Sequence, residues 1–289
     1  TLCQISHMDK AFFANSGAEA NELAIKLSRI NGNSFSENKT DIICMNHSFH
    51  GRTMATLGIS KSSDFGKKFS PLIQGPVFVD LNNQNQLIQK CNENTSCIIL
   101  EPIQGEGGIH TATPEYLQLA RSLAYKYNAL LIFDEIQCGL GRTGKYFAHE
   151  SSNVKPDIIT VAKPLGLGLP IGAVLINSKT ASLINYGDHG STFGGNLLAA
   201  SSALAFLDIL QNQNILENIN TVSQYLFSYL AELKQRYNFV QEIRGKGFMI
   251  GIELDKPVPD IIQRFIKNGL LCNCTADKVV RLLPPYTIT

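Results

Sequence analysis

Neither sign of charge dominates this sequence: 25 Lys and Arg stand against 24 Asp and Glu, a formal net charge of +1. With the signs mixed along the chain, that balance gives no electrostatic case for nucleic acid or an anionic membrane as a partner. Long apolar runs are missing as well. CIIL and ALLIF are strand-sized, far short of the ~20 residues that span a bilayer. The seven cysteines are odd in number and scattered, and the close pair Cys272 and Cys274 lacks the spacing of a zinc or thioredoxin motif. They read as reduced thiols of an intracellular protein. No signal peptide, internal repeat or low-complexity tract is visible. The chain opens without Met at TLCQISHMDK and stops at PPYTIT, so it reads as part of a longer protein.

What is present is an ordinary globular composition, 44% hydrophobic and 17% charged. Strand-like runs recur with helical stretches between them: AFFA, DIICM, PVFVD, CIILE, ALLIF, DIITVA and IGAVLI. Most are apolar on both faces, as parallel strands covered by helices on each side must be. Ser16 and Glu19 form an S-x-x-E capping box ahead of the apolar face Ala20, Leu23, Ala24 and Leu27. Thr113 and Pro114 open a helix that runs to about Tyr127. The alternation predicts a doubly wound α/β fold, a mostly parallel sheet with helices on both faces. From Gly195 to about Leu233 the chain reads as helix, followed by short β-like segments (FVQEI, FMIGIEL, GLLCN, KVVRLL). The expected division is a large domain, 1–215, with its N-terminal part missing, and a smaller truncated α/β domain, 216–289.

In an open parallel sheet, ligands bind beyond the carboxyl ends of the strands. Four candidate groups fall at such ends. AFFANSGAEANE runs strand, Asn15-Ser16-Gly17, helix, so the Gly17 and Ala18 N–H groups form a phosphate cradle or simply the start of a capped helix. ALLIFDEIQ ends a buried strand in Asp134 and Glu135, with Gln137 within reach of the same ligand; the bland alternative is a solvated acidic turn. HSFHGRT offers Phe49 as an aromatic face and Arg52 as a carboxylate-binding fork, although Phe49 alone is equally a core residue. His47 and His50 lack the acidic or cysteine partners a metal site needs. The fourth group is Lys163, 29 residues after Asp134, between DIITVA and a turn holding Gly166, Gly168, Gly172 and the more distant Gly187. Those glycines suggest close backbone packing, and Pro164 pushes Lys163 toward extended geometry. Lys163 is either a lysine that snorkels from a strand end or an amine desolvated enough to form a Schiff base. GLGRTGKY is a decoy: Tyr146 stands where a P-loop needs Ser or Thr for magnesium. A phosphate cradle, a carboxylate for a pyridinium nitrogen, an aromatic face and a lysine for an aldehyde together describe pyridoxal 5′-phosphate, with no metal.

FFANSGAEANELAIKLSR, HSFHGRTMATLG, EPIQGEGG, LLIFDEIQCGLGRTG, TVAKPLGLGLPIGA, HGSTFGGN, RGKGFMIGIEL and VVRLLPP resemble the class III aminotransferases of the fold-type I pyridoxal-phosphate enzymes, most of all those acting on acetylornithine. The likeness covers essentially the whole chain. It implies that Lys163 holds the cofactor through its amine and then shuttles the proton, while Asp134 pairs with the ring nitrogen and Gln137 bonds the phenolic oxygen. Ser16, Gly17 and Ala18 would hold the phosphate and Phe49 would stack on the ring. Thr192 would reach the phosphate in a neighbouring subunit, which implies a homodimer with shared active sites. Arg52 and Arg281 would bind substrate carboxylates, and Glu106 resembles the glutamate that pairs with the second arginine in ornithine-using relatives. The reaction implied moves the terminal amino group of N-acetylornithine to 2-oxoglutarate, in arginine biosynthesis. Ornithine, succinylornithine and 4-aminobutyrate are the alternative donors, and a non-catalytic binding protein is the alternative class. His50 favours acetylornithine, since the ornithine-using relatives tend to carry tryptophan there. Two residues depart from the family pattern: Pro164, where a small residue is usual, and Leu167, where glycine is usual.

Overall fold

The computed structural model describes residues 1–61 and 64–289. Seven strands form the main sheet: β1 (Lys10–Ala14), β2 (Asp41–Met45), β3 (Pro76–Val79), β4 (Thr95–Leu100), β5 (Leu130–Asp134), β6 (Ile158–Val161) and β7 (Gly172–Ile176). Their order is β1-β7-β6-β5-β4-β2-β3. Every pair from β3 to β6 is parallel, and β7 alone runs against its neighbours β6 and β1. The carboxyl ends of β1, β2, β4, β5 and β6 therefore share one edge.

The strands are apolar on both faces because both are covered. On one face Ile42, Cys44, Ile99 and Ile132 pack against Leu23, Ala24 and Leu27 of the helix Gly17–Asn33. On the other, Ile43, Met45, Leu100 and Phe133 meet Tyr116, Leu117 and Ala120 of the helix Pro114–Lys126. Strands β4 and β5 are buried at every position. Burying each of their Leu, Ile and Phe side chains stabilises the fold by roughly 1.5–3 kcal/mol relative to leaving it exposed.

Caps set where the helices begin. Ser16 Oγ accepts the Glu19 N–H at 3.1 Å, and Thr113 Oγ1 accepts the Tyr116 N–H at 3.2 Å, with Pro114 at the first helical turn. Glu19 reaches back one residue further than a capping box requires: its Oε2 accepts the backbone and side-chain N–H groups of Asn15, each at 2.9 Å. The single helix expected from Gly195 to Leu233 is two, Leu197–Asn212 and Ile215–Arg236, broken where Asn214 takes the left-handed conformation at φ +53°. The longer helix buries Ile215 and Ile219 against the side of the main sheet carrying Ile159 and Leu175, and Leu230 against a second sheet.

That second sheet is antiparallel, in the order β10-β11-β9-β8, from β8 (Val240–Lys246), β9 (Met249–Leu254), β10 (Asn273–Thr275) and β11 (Val279–Leu282). A helix, Pro259–Lys267, lies between β9 and β10, in the stretch between FMIGIEL and GLLCN for which the sequence pattern predicts no element.

Candidate active site

The shared edge of the main sheet opens into a cavity of about 460 Å³. At one end stands the start of the helix Gly17–Asn33. Its first turn leaves the Gly17 and Ala18 N–H groups without an intrahelical partner, and Ser16, Gly17 and Ala18 all line the cavity. The floor is the end of β5. Asp134 is buried; its Oδ2 accepts from His50 Nδ1 and Asn21 Nδ2, both at 2.8 Å, and its Oδ1 accepts the Ile136 N–H at 3.0 Å. Phe49 lines the wall, half-buried, and exposed Arg52 lies at the mouth. Lys163 enters from the end of β6.

The solvated-turn alternative for the acidic pair is excluded, because both carboxylates are buried. They serve different ends. Asp134 faces the cavity, whereas Glu135 turns away and accepts the N–H groups of Ala148 and His149, the ring of His149 at 2.8 Å and the Cys138 thiol at 3.2 Å.

Lys163 departs from two expectations. It is exposed rather than desolvated, and its φ of +32° is not extended. A short 3-10 turn, Lys163–Gly166, explains the second point: the Leu165 N–H bonds to Ala162 O at 2.9 Å and the Leu167 N–H to Pro164 O at 3.2 Å. Pro164 fits because it needs no N–H there, so tertiary context overrides its local influence on the preceding residue. A lysine held at positive φ carries backbone strain of a kind that gathers at functional sites. Leu167, also left-handed at φ +48°, stands 56% exposed beside a second, more apolar hollow that includes Phe206, Leu210 and Tyr286.

The glycines around the lysine divide in two. A Cβ on Gly172 would stand 2.3 Å from Ser16 O, and one on Gly166 would stand 2.8 Å from Ile171, so these two mark close packing. Gly168 and Gly187 face open space and are needed for φ values of +102° and +95°. Gly172 lets β7 lie close against Ser16 at the start of the helix Gly17–Asn33.

The remaining candidates lie outside the cavity. Arg281, on β11, is buried; Nη1 donates to Glu106 Oε1 at 2.7 Å, to Gly105 O at 3.1 Å and to Gln137 Oε1 at 3.2 Å, and Nε donates to Asn273 Oδ1 at 3.1 Å. Gln137 lines the cavity and so joins the two groups. Thr192 is exposed in a separate hollow, while its neighbour Ser191 accepts from Asn15 Nδ2 at 3.1 Å, just ahead of the helix Gly17–Asn33. The GLGRTGKY decoy is a structural loop: Arg142 donates to Pro284 O at 2.6 Å and stacks 4.4 Å from the Tyr286 ring.

Three site residues went unassigned in the sequence. Asn21, fully buried on the apolar face of its helix, and His50 hold Asp134. Burial pulls the His50 pKa down, but the bond to Asp134 and the charges of Asp134 and Glu101 override it, for a net rise. Glu101 directly follows β4, much as Asp134 closes β5; burial and the nearby Asp134 push its pKa up to about 7, against the opposing pull of His50 and two backbone N–H bonds. The signal was a glutamate directly after the apolar run CIIL, the same signal that marked Asp134.

The family model for aminotransferase class-III matches residues 1–289. The chain belongs to the class-III aminotransferases. It is 44% identical over 288 residues to an acetylornithine aminotransferase of Methanocaldococcus jannaschii, covering 99% of this chain and 72% of that one. It is 43% identical to ornithine aminotransferase 1 of Staphylococcus aureus, covering 99% and 73%. Among solved structures, the ornithine aminotransferase of Toxoplasma gondii superposes with a TM-score of 0.94 at 32% identity, covering all of this chain and 70% of that one. The N-acetylornithine aminotransferase of Stenotrophomonas maltophilia gives 0.84 at 35%, covering 100% and 72%. Like the rest of its family, this aminotransferase is a pyridoxal-phosphate enzyme. The residues present fit that cofactor: free N–H groups at a helix start, a buried carboxylate, an aromatic face and a primary amine border one cavity. Among the described residues no helix is long and apolar enough to cross a membrane, and no cluster of three or more side chains suits a metal.

Proposed function

We propose that this enzyme transfers the terminal amino group of N-acetylornithine to 2-oxoglutarate. The observation that carries the reading is the convergence of Lys163, Asp134 and the Gly17–Ala18 corner on one cavity, in a chain whose relatives include acetylornithine aminotransferases at 44% identity. Bound there, pyridoxal phosphate supplies a sink for the electron pair left when a substrate carbon loses its proton. Ser16, Gly17 and Ala18 would hold its phosphate, Phe49 would cover the ring and Gln137 would bond the phenolic oxygen. Asp134, fixed by three hydrogen bonds, holds the proton of the ring nitrogen. Lys163 would hold the cofactor through its amine, and its Nζ would move the proton between the substrate carbon and the position next to it.

The donor's α-carboxylate is anchored by Arg52. Arg281 is engaged by Glu106 while a donor with one free carboxylate is bound, and is released to the second carboxylate of 2-oxoglutarate. Thr192, exposed on this chain, would serve the phosphate in a second copy, so the working unit is a homodimer. The division into a cofactor-binding part, 1–215, and a smaller part, 216–289, belongs to the same reading and is supported by the break at Asn214. Seven free cysteines support a cytoplasmic setting.

The test is a visible spectrum of the protein loaded with pyridoxal phosphate, followed on adding N-acetylornithine, ornithine, succinylornithine or 4-aminobutyrate. Conversion to the amino form of the cofactor fastest with N-acetylornithine supports the proposal. Faster conversion with another donor reassigns the substrate, and no conversion with any donor favours a non-catalytic binding protein.

A further inference from the structure

Glu101 is 5% exposed and lines the cavity, yet the proposed reaction assigns it no task. Its two oxygens serve two different loops. Oε2 accepts the N–H of Phe49 at 3.0 Å, from the loop after β2, and Oε1 accepts the N–H of Gly105 at 3.0 Å, from the loop after β4. Gly105 is itself hemmed in: a Cβ there would stand 2.4 Å from the Gln137 amide, and its carbonyl accepts Arg281 Nη1 at 3.1 Å. Its neighbour Glu106 is held by Arg281 through the side chain and by Thr275 Oγ1 through the backbone.

One carboxylate therefore ties the aromatic wall of the cavity to the segment that carries the Arg281 partner. A buried carboxylate is costly unless its oxygens are satisfied, and here both bonds come from backbone N–H groups that would otherwise be buried without partners. Neither loop can shift without releasing its oxygen. The raised pKa of Glu101 reflects the cost of keeping an acid at this place beside Asp134. A neutral hydrogen-bonding side chain would lack that cost, but an amide cannot accept from two N–H groups on opposite sides: one of its two atoms is a donor.

We propose that Glu101 is a positioning residue that clamps the Phe49 loop and the Gly105–Glu106 segment into one unit, so that the ring-covering wall and the second carboxylate site move together. The consequence for substrate choice rests on the assignments of Phe49, Glu106 and Arg281 made above; the clamp itself does not.

Amide hydrogen exchange of the cofactor-free protein tests the clamp without reference to catalysis. In Glu101→Met, which fills the space but accepts from neither loop, the amides of Phe49 and Gly105 lose protection together by about tenfold, the scale of one lost hydrogen bond, while Ile43 and Ile98 in the adjoining strands keep theirs. Glu101→Ala likewise accepts from neither loop, and it carries the same comparison if the methionine variant does not fold. Loss at only one of the two amides, or a uniform loss that includes Ile43 and Ile98, overturns the proposal and leaves Glu101 an ordinary buried acid. On the loaded enzyme, the clamp predicts a KM for 2-oxoglutarate that rises by about fivefold or more with the donor KM within about twofold. Paired loss of protection with equal changes in both KM values upholds the clamp and refutes the assignment of Arg281 to the second carboxylate.

Discussion

Arg281→Ala removes the guanidinium assigned to the second carboxylate of the acceptor. In the resting protein that group makes four hydrogen bonds, to Glu106, Gly105, Gln137 and Asn273, of which the Glu106 contact at 2.7 Å is the ionic one. The Arg281 side chain is only 7% exposed, but that of Glu106 is 36% exposed, so once the arginine is gone the abandoned glutamate can regain water. The full cost of stranding a buried charge therefore does not apply. The loss on the acceptor side falls in the lower half of the roughly 2–5 kcal/mol range for truncating one member of a charge pair, about 2–3 kcal/mol. This corresponds to roughly 30- to 150-fold weaker binding of 2-oxoglutarate. A donor with a single free carboxylate never uses Arg281, so its half-reaction changes by no more than about threefold. The two half-reactions of the loaded enzyme, each followed by the cofactor's absorption, measure both numbers separately. Equal losses in the two would refute the reasoning and make Arg281 a general anchor.

Other expectations follow from particular contacts. Asp134→Asn keeps the shape of the floor but removes the charge facing the ring; donor deprotonation slows on the order of 10²-fold or more, with far smaller changes in KM, and near-normal single-turnover rates would remove Asp134 from the chemistry. Gly172→Ala places a Cβ 2.3 Å from Ser16 O, which must shift the phosphate corner; equilibrium titration shows cofactor binding weakened by about 1–3 kcal/mol, and unchanged affinity would mean the corner does not hold the phosphate. His50 and Glu101 both titrate above their ordinary values of 6.5 and 4.5, so the folded chain binds protons more tightly than the unfolded one. The stability they contribute is present at acid pH and is lost as pH rises, through about 7 for Glu101. Urea unfolding of the protein between pH 5 and 8 accordingly falls more steeply than that of Glu101→Gln, by on the order of 1–3 kcal/mol; parallel curves would contradict the shift at Glu101.

The strand ends were legible because β4 and β5 are buried on both faces, and a carboxylate directly after such a run has few places to go. Gly17, Ala18, Asp134 and Lys163 could be placed from that logic alone, and the parallel sheet then carried them to one edge. What sequence reasoning missed depends on contacts between distant residues. His50 meets Asp134 across 84 positions, and nothing in HSFHGRT distinguishes a ring that holds a carboxylate from one on the surface. Glu101 carried the same strand-end signal as Asp134, but its task depends on two loops that close over it. At Lys163 the local rule for a residue before proline lost to the 3-10 turn that follows. At Asn214 the stretch QNQN did carry a signal, since asparagine takes the left-handed conformation more readily than other non-glycine residues, but the apolar residues on both sides kept the helical reading continuous.

The account stands on Lys163 as the residue that carries the cofactor. Its most direct measurement is borohydride reduction of the protein loaded with pyridoxal phosphate, followed by peptide mapping of the stable adduct. The account predicts the label on the peptide containing TVAKPLG, at Lys163, and no label in Lys163→Ala, which folds as the parent does. A label on any other lysine, or an undiminished label in Lys163→Ala, would contradict it.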